Sequence, residues 1–290
     1  MKKHLSTIIF ILIFLIGLAI FLYPTISNLW NEHLNSELIL DYMDQVSSIS
    51  SEEQQKLLLD ARTYNEYFLD REKRDALGLS YDSLLNIKGD GVMGYLEIPK
   101  ISVSLVIYHG TDEPRLQNGI GHVETSALPV GGSGTHCVLA GHTGLPSAKL
   151  LTNLDRLEAG DVFYVHVLNE VLEYRVTDLA VVEPNDTALL KPEPEKDLLT
   201  IVTCTPYGIN THRLLVRGIR STGAASDYDS LLLPNELEPI HSYILIPAAV
   251  ALPTLGFALY RWIRSKRKKK GGEPDQSEPA LNTDDENNQT

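Results

Sequence analysis

Two uncharged apolar runs bracket this chain and decide where the rest of it can go. Residues 5–23 read LSTIIFILIFLIGLAIFLY and residues 243–260 read YILIPAAVALPTLGFALY. Each is long enough to cross a bilayer core as a helix, although the second must accommodate Pro247, Pro253 and Gly256. The first run continues into Pro24-Thr25-Ile26-Ser27-Asn28-Leu29-Trp30 without a small-x-small cleavage site. It is therefore expected to stay as an anchor rather than leave as a signal peptide.

Basic residues stay on the cytoplasmic side of a membrane. Lys2 and Lys3 precede the first run, and Arg261, Arg264, Lys266, Arg267, Lys268, Lys269 and Lys270 follow the second. Both termini are thus expected inside the cell membrane, with the intervening residues extracytoplasmic in a two-pass topology. The Lys266 to Lys270 cluster reads as a topology anchor touching anionic lipid.

The chain carries −13; setting aside the two N-terminal lysines and the seven basic and six acidic residues from 261 on leaves −16 for the outward span. That charge argues against nucleic acid as a partner.

Past the first run, Leu34, Leu38, Tyr42 and Val46, then Leu57, Leu58, Ala61 and Tyr64, recur at helical spacing. Two helices are expected, broken near Ser47 to Ser51, with Ser51 as N-cap ahead of Glu52 and Glu53. Residues 70–91 read as loop. From Gly94 the texture changes to short β-type runs at 95–98, 103–108, 136–140, 162–167, 171–182, 198–203 and 214–219, with turn signals between them. Seven or eight strands with one helix, expected at 147–154, indicate an all-β core, a compact barrel or sandwich. Residues 271–290 are polar and acidic, a composition that does not offset ordering entropy.

The chain has two cysteines, Cys137 and Cys204. On an oxidising side of the membrane a disulfide between them is one reading. The other treats Cys137, inside His136-Cys137-Val138-Leu139-Ala140, as a small buried hydrophobe. Cys204 then stands apart, at the end of a strand where it emerges into Thr205-Pro206-Tyr207-Gly208.

A nucleophilic thiol needs a base or cation beside it and a donor for the oxyanion it creates. His142, in Ala140-Gly141-His142-Thr143-Gly144, has glycines on both sides that admit a substrate backbone. Arg213 lies nine residues beyond Cys204, and an antiparallel hairpin through Pro206 to Asn210 would bring the two together. His212 and Arg217 are alternatives, but residues 212 and 213 of a strand face opposite ways.

Thr200-Ile201-Val202-Thr203-Cys204, Arg213 and Gly141-His142 together resemble the signature of the sortase family, whose pattern is Thr-Leu-x-Thr-Cys; Ile201 is a conservative departure. Residues 89–95, Ile98-Pro99-Lys100-Ile101, residues 107–111 and 128–132, and Cys204-Thr205-Pro206-Tyr207-Gly208 are also similar to that family. The resemblance covers roughly residues 85–220, and the upstream helices and second apolar run resemble its class C, pilus-assembling branch.

The resemblance implies a closed eight-stranded sortase-type β-barrel with N-terminal helices, flanked by two transmembrane helices, and a free Cys204. It divides the chain into a cytoplasmic start (1–4), a transmembrane helix (5–23) and a helical and possible lid segment (24–92). The catalytic barrel (93–222), a linker (223–242), a second transmembrane helix (243–260) and the basic anchor with its cytoplasmic tail (261–290) follow.

It further implies a cysteine transpeptidase with hydrolase side activity. Cys204 would open the Thr-Gly bond of a Leu-Pro-x-Thr-Gly-like sorting signal through a thioacyl intermediate. His142 would act as acid and base and Arg213 would hold the oxyanion, with no cofactor and no metal. The expected partners are sorting-signal-bearing surface or pilin proteins, a lysine amine of a pilin as acceptor, and membrane lipid. A housekeeping-type sortase using a cell-wall peptide amine differs only in the acceptor, and a disulfide-bonded adhesion module is the non-enzymatic alternative. His122, in Gly119-Ile120-Gly121-His122-Val123, falls at a structural position of the family. Class C enzymes often carry an Asp-Pro-aromatic lid; here that place reads Arg74-Asp75-Ala76-Leu77-Gly78, which would put Asp75 on Arg213 and Leu77 over Cys204.

Overall fold

The structure, a computed structural model, describes residues 2–68, 70–221 and 261. The second apolar run, the linker and the acidic tail lie outside the described residues apart from Arg261.

The first helix, α1, spans Lys2–Ser48 without interruption and carries Pro24 inside it. The first apolar run and the first amphipathic helix are therefore one rod of 47 residues, where the sequence suggested two pieces. Proline lacks the donor for residue Ile20 and strains the turn before it, so it usually marks a helix boundary. Among the described residues, α1 is the one helix long and apolar enough to cross a membrane.

Its C-terminal half packs along the barrel. Tyr42 is 2% exposed, and its hydroxyl donates to Met93 O at 3.1 Å and accepts from Leu168 N at 2.7 Å. α2 (Ser51–Glu66) starts at an N-cap formed by Ser50, one residue earlier than expected, whose Oγ accepts from Glu53 N. Asn65 ties α2 to the barrel in both directions: Nδ2 donates to Leu128 O at 3.1 Å and Oδ1 accepts from Leu128 N at 2.7 Å. The stretch expected as loop contains a short helix, α3 (Arg71–Ala76), capped by Asp70.

Eight strands follow: β1 (Val92–Ile98), β2 (Val103–His109), β3 (Ile120–His122), β4 (Thr135–Ala140), β5 (Val162–Val167), β6 (Glu170–Val182), β7 (Asp197–Thr205) and β8 (His212–Arg220). They close into a barrel in the order β1-β2-β3-β4-β7-β8-β6-β5. The closure removes the exposed sheet edges that would otherwise invite pairing with other chains. β2 with β3 and β4 with β7 are parallel and the remaining pairs antiparallel. β3, three residues long, was too short to give a period; a four-residue helix, α4 (Glu113–Leu116), precedes it.

The core lies inside the barrel and under α2. Leu96, Ile98, Ile107, Ile120, Leu139, Phe163, Val165, Leu199, Ile201 and Val216 are fully buried. The alternation Leu199, Ile201 inward fixes the register of β7, because a slip by one residue would turn its apolar set outward.

The helix expected at 147–154 is absent: that segment is turns ending in one 3-10 turn at Leu154–Arg156. Two of its backbone groups are taken by α1. Ser27 Oγ and Asn31 Nδ2 both donate to Ser147 O at 2.8 Å, and Lys149 N donates to Asn28 Oδ1 at 2.7 Å.

Candidate active site

Cys204 is the penultimate residue of β7, and in the antiparallel ladder its direct partner is Arg213 of β8. Directly opposed residues project to the same face, so thiol and guanidinium share one side of the sheet. Thr203, facing the other way, is buried. Its Oγ1 donates to Gly141 O at 2.8 Å, while Gly141 N donates to Val202 O at 3.0 Å.

These two bonds extend the parallel pairing of β4 with β7, where Ala140 lies opposite Val202. His142 lies two residues past the end of β4, in the loop next to the strand that carries Cys204. The three residues singled out in the sequence thus sit at one end of the barrel: Cys204 near the end of β7, Arg213 near the start of β8 and His142 just past the end of β4.

Gly141 is required for this approach. A Cβ there would stand 2.7 Å from Leu151 Cδ1 and 2.8 Å from Ile120 Cγ2, far inside van der Waals contact. Leu151 N donates to His142 O at 3.2 Å, so the loop after β4 closes back on the histidine. On the far side of that loop Gly144 has φ +75° and lies under the ring of Tyr207.

His142 has a partner that the sequence did not reveal. Its Nε2 stands 3.3 Å from both carboxylate oxygens of Glu113, the first residue of α4. The two residues are 29 positions apart, and no local pattern links them.

Arg213 donates through Nη1 to His212 O at 3.0 Å and to Asn210 O at 3.3 Å. Among the described residues it makes no ion pair, so its other guanidinium donors are uncommitted to any carboxylate. Arg217, the alternative, is held by Glu193 at 3.0 Å and Asp178 at 3.5 Å. His212 pairs across the strand with Thr205 and lies 3.6 Å from Glu183.

Below Cys204 on the same face, Thr200, Leu215, Ala180, Asp178, Arg217 and Leu189 line a narrow cleft.

Both cysteines are free. Cys137 is fully buried, and burial pushes its thiol well above the ordinary cysteine value, with Asp197 adding to the effect; such a thiol is inert. Cys204 is partly exposed.

His122 is built into the fold. It is fully buried, and Nε2 lies 2.8 Å from Ala127 O, so that nitrogen carries the proton. Nδ1 accepts from the Tyr81 hydroxyl at 3.0 Å. Desolvation lowers its pKa to about 4, which keeps it neutral and committed to structure.

Asp75 and Leu77 lie elsewhere than over the thiol. Asp75 is 3.8 Å from Arg71 and borders a cavity with Tyr64, Arg74, Tyr81 and Glu124, while Leu77 is 52% exposed. Among the described residues no cluster of His, Cys, Asp and Glu is arranged to hold a metal ion.

Residues 96–221 match the model of the sortase domain. The chain is similar to the crystal structure of sortase C1 from Streptococcus agalactiae, at 43% identity and a TM-score of 0.61, covering 65% of this chain and all of that one. A Streptococcus pneumoniae sortase C, reported for its bearing on catalysis and pilin substrate specificity, is 38% identical with a TM-score of 0.56, covering 64% of this chain and 96% of that one. A Clostridium perfringens sortase C, solved with the C-terminal cell wall sorting motif, is 40% identical with a TM-score of 0.56, covering 64% and 98%.

Sortase D of Bacillus subtilis is 31% identical over 44% of this chain, and the chain spans 64% of that protein's length. With a closed eight-stranded barrel, a free cysteine near the end of β7 and these likenesses, the chain belongs to the sortase family, in its class C.

Proposed function

We propose that this protein is a membrane-anchored cysteine transpeptidase that cuts a Leu-Pro-x-Thr-Gly-like sorting signal and passes the acyl part to a lysine amine of a pilin subunit. The observation that carries the reading is the register that opposes Cys204, a free thiol, to Arg213; the position of His142 in the loop after β4, the other neighbour of β7, supports it.

In the first half-reaction the Cys204 thiolate attacks the threonine carbonyl carbon. The oxygen takes up negative charge, and Arg213 meets it with donors that no carboxylate occupies. The carbon–nitrogen bond to glycine breaks, His142 gives a proton to the departing amine, and a thioester remains on Cys204. In the second half, the incoming lysine amine attacks that thioester and yields its proton to His142. The carbon–sulfur bond breaks and the thiolate is restored.

The sorting motif bound to the Clostridium perfringens enzyme supports the substrate class, and the pilin specificity of the Streptococcus pneumoniae enzyme supports the acceptor class. The apolar start of α1 supports anchoring, and the basic flanks of the two apolar runs support a two-pass topology with an outward-facing barrel.

Incubation of the protein with a Leu-Pro-x-Thr-Gly peptide, followed by intact mass, tests the reading. An acyl adduct lost in Cys204→Ala is expected, and it should discharge onto a pilin lysine peptide faster than onto a cell-wall peptide amine. Faster discharge onto the cell-wall amine would assign the housekeeping acceptor instead. No adduct would refute acyl transfer.

A further inference from the structure

α1 runs beside β2 in the same direction. Asn28, Asn31 and Asn35 lie against Ser102 to Leu105, and Tyr42, farther along, lies against Val92 and Val106. β2 is parallel to β3, β3 is antiparallel to β4, and β4 is parallel to β7. The start of β2 and the ends of β4 and β7 are therefore at the same end of the barrel. The apolar part of α1 projects from that end, which is the end that holds His142, Cys204 and Arg213.

The distance is short. The apolar run ends at Tyr23, and at 1.5 Å per residue Ser27 and Asn31 lie about 6 and 12 Å beyond it along the helix. The headgroup layer on each side of a bilayer is about 5–8 Å deep. Ser27, Asn28 and Asn31 bond directly to Ser147 and Lys149, in the loop that begins at His142 and closes back on it through Leu151.

The neighbouring surface suits that depth. The Tyr207 ring lies over Gly144 of the same loop. Tyr207 is 64% and Ile209 67% exposed, in the turn between nucleophile and arginine. An amphipathic ring, an aliphatic side chain and Lys149 are the residue types that settle at a lipid headgroup layer.

We propose that the catalytic end of the barrel rests on the outer headgroup layer, with Lys149, Tyr207 and Ile209 as its lipid contacts. This rests on α1 serving as the anchor.

The test uses the full chain with Cys204→Ala, in which the buried Cys137 does not label, reconstituted in vesicles of phosphatidylcholine and phosphatidylglycerol. An environment-sensitive fluorophore is attached in turn at Ile209→Cys, at Asn169→Cys in the β5–β6 turn at the opposite barrel end, and at Leu15→Cys within the apolar run. Lipids bearing a headgroup nitroxide are expected to quench the label at 209 and leave that at 169 unchanged, while acyl-chain nitroxide quenches the label at 15. Quenching at 15 with none at 209 would overturn the proposal while leaving the anchor intact. No quenching at 15 would overturn the anchor reading, and the proposal with it.

Discussion

Cys204 and Arg213 are direct partners in the β7–β8 ladder, so backbone pairing puts the two residues opposite each other on one face of the sheet. Arg213 spends Nη1 on the carbonyls of Asn210 and His212, which orients the remaining donors. A lysine keeps the charge but has no planar fork to divide between those carbonyls and a substrate oxygen.

Arg213→Lys is therefore expected to lower kcat for peptide cleavage by about 10²- to 10³-fold, the usual cost of losing an oxyanion donor, with KM little changed. Steady-state kinetics on a quenched sorting peptide decides this. A loss confined to KM would make Arg213 a substrate-binding residue only.

Glu113 is expected to act as a positioning residue for His142. Its carboxylate faces Nε2 from 3.3 Å but is itself well exposed, so solvent weakens the pair. Glu113→Ala should lower kcat by no more than about fivefold, with Glu113→Gln, which still accepts a hydrogen bond, in between. A loss as large as that of His142→Ala would show Glu113 to be part of the chemistry itself.

The two thiols should separate cleanly on alkylation. In the native protein iodoacetamide is expected to add once, at Cys204, and not at all to Cys204→Ala, because Cys137 is fully buried with its thiol pushed up. In denaturant two additions are expected. Mass spectrometry with peptide mapping reads the result, and a native adduct on Cys137 would contradict the packing described.

Much of this arrangement was legible in the chain. The alternation in β7 announces a strand with one buried face, and the nine-residue spacing from Cys204 to Arg213 fits a hairpin. What stayed hidden was nonlocal. The backbone of 147–154 is held in turns by asparagines and a serine on α1 more than 110 residues away, and Glu113 reaches His142 only because β2, β3 and β4 are neighbours. The continuity of α1 was hidden for a different reason: Pro24 reads as a stop unless the flanking turns hold the helix together.

Acid should destabilise the barrel through His122. In the folded state it stays neutral down to about pH 4, whereas in the unfolded chain it takes up its proton near the ordinary value of about 6.5. Its contribution is thus fully present above pH 6.5 and is lost as pH falls toward 4, where the unfolded state binds the extra proton. The loss over that window is on the order of 3 kcal/mol. Thermal melts from pH 7.5 to 4.5 should fall steeply, and His122→Asn, less stable at neutral pH, should show a flatter profile.

Arg74 stacks its guanidinium on Tyr64, 4.4 Å from the ring centroid, and on Phe68 at 5.6 Å, while Leu79 N donates to Arg74 O at 2.9 Å. The stacking on Tyr64 holds residues 70–80 against α2, the hydrogen bond folds the segment on itself, and Asp75 makes its ion pair with Arg71. A lid that closed Asp75 onto Arg213 and Leu77 onto Cys204 would have to leave this berth. With the segment where it is, Asp75→Ala and Leu77→Ala should change the rate of thioester formation by less than about twofold, as surface substitutions do. Arg74→Ala removes the stacking and loosens the segment, yet it too should leave the rate unchanged if nothing covers the thiol. A marked acceleration in all three variants would show instead that residues 70–80 close over Cys204 in solution, and that peptide entry requires their release.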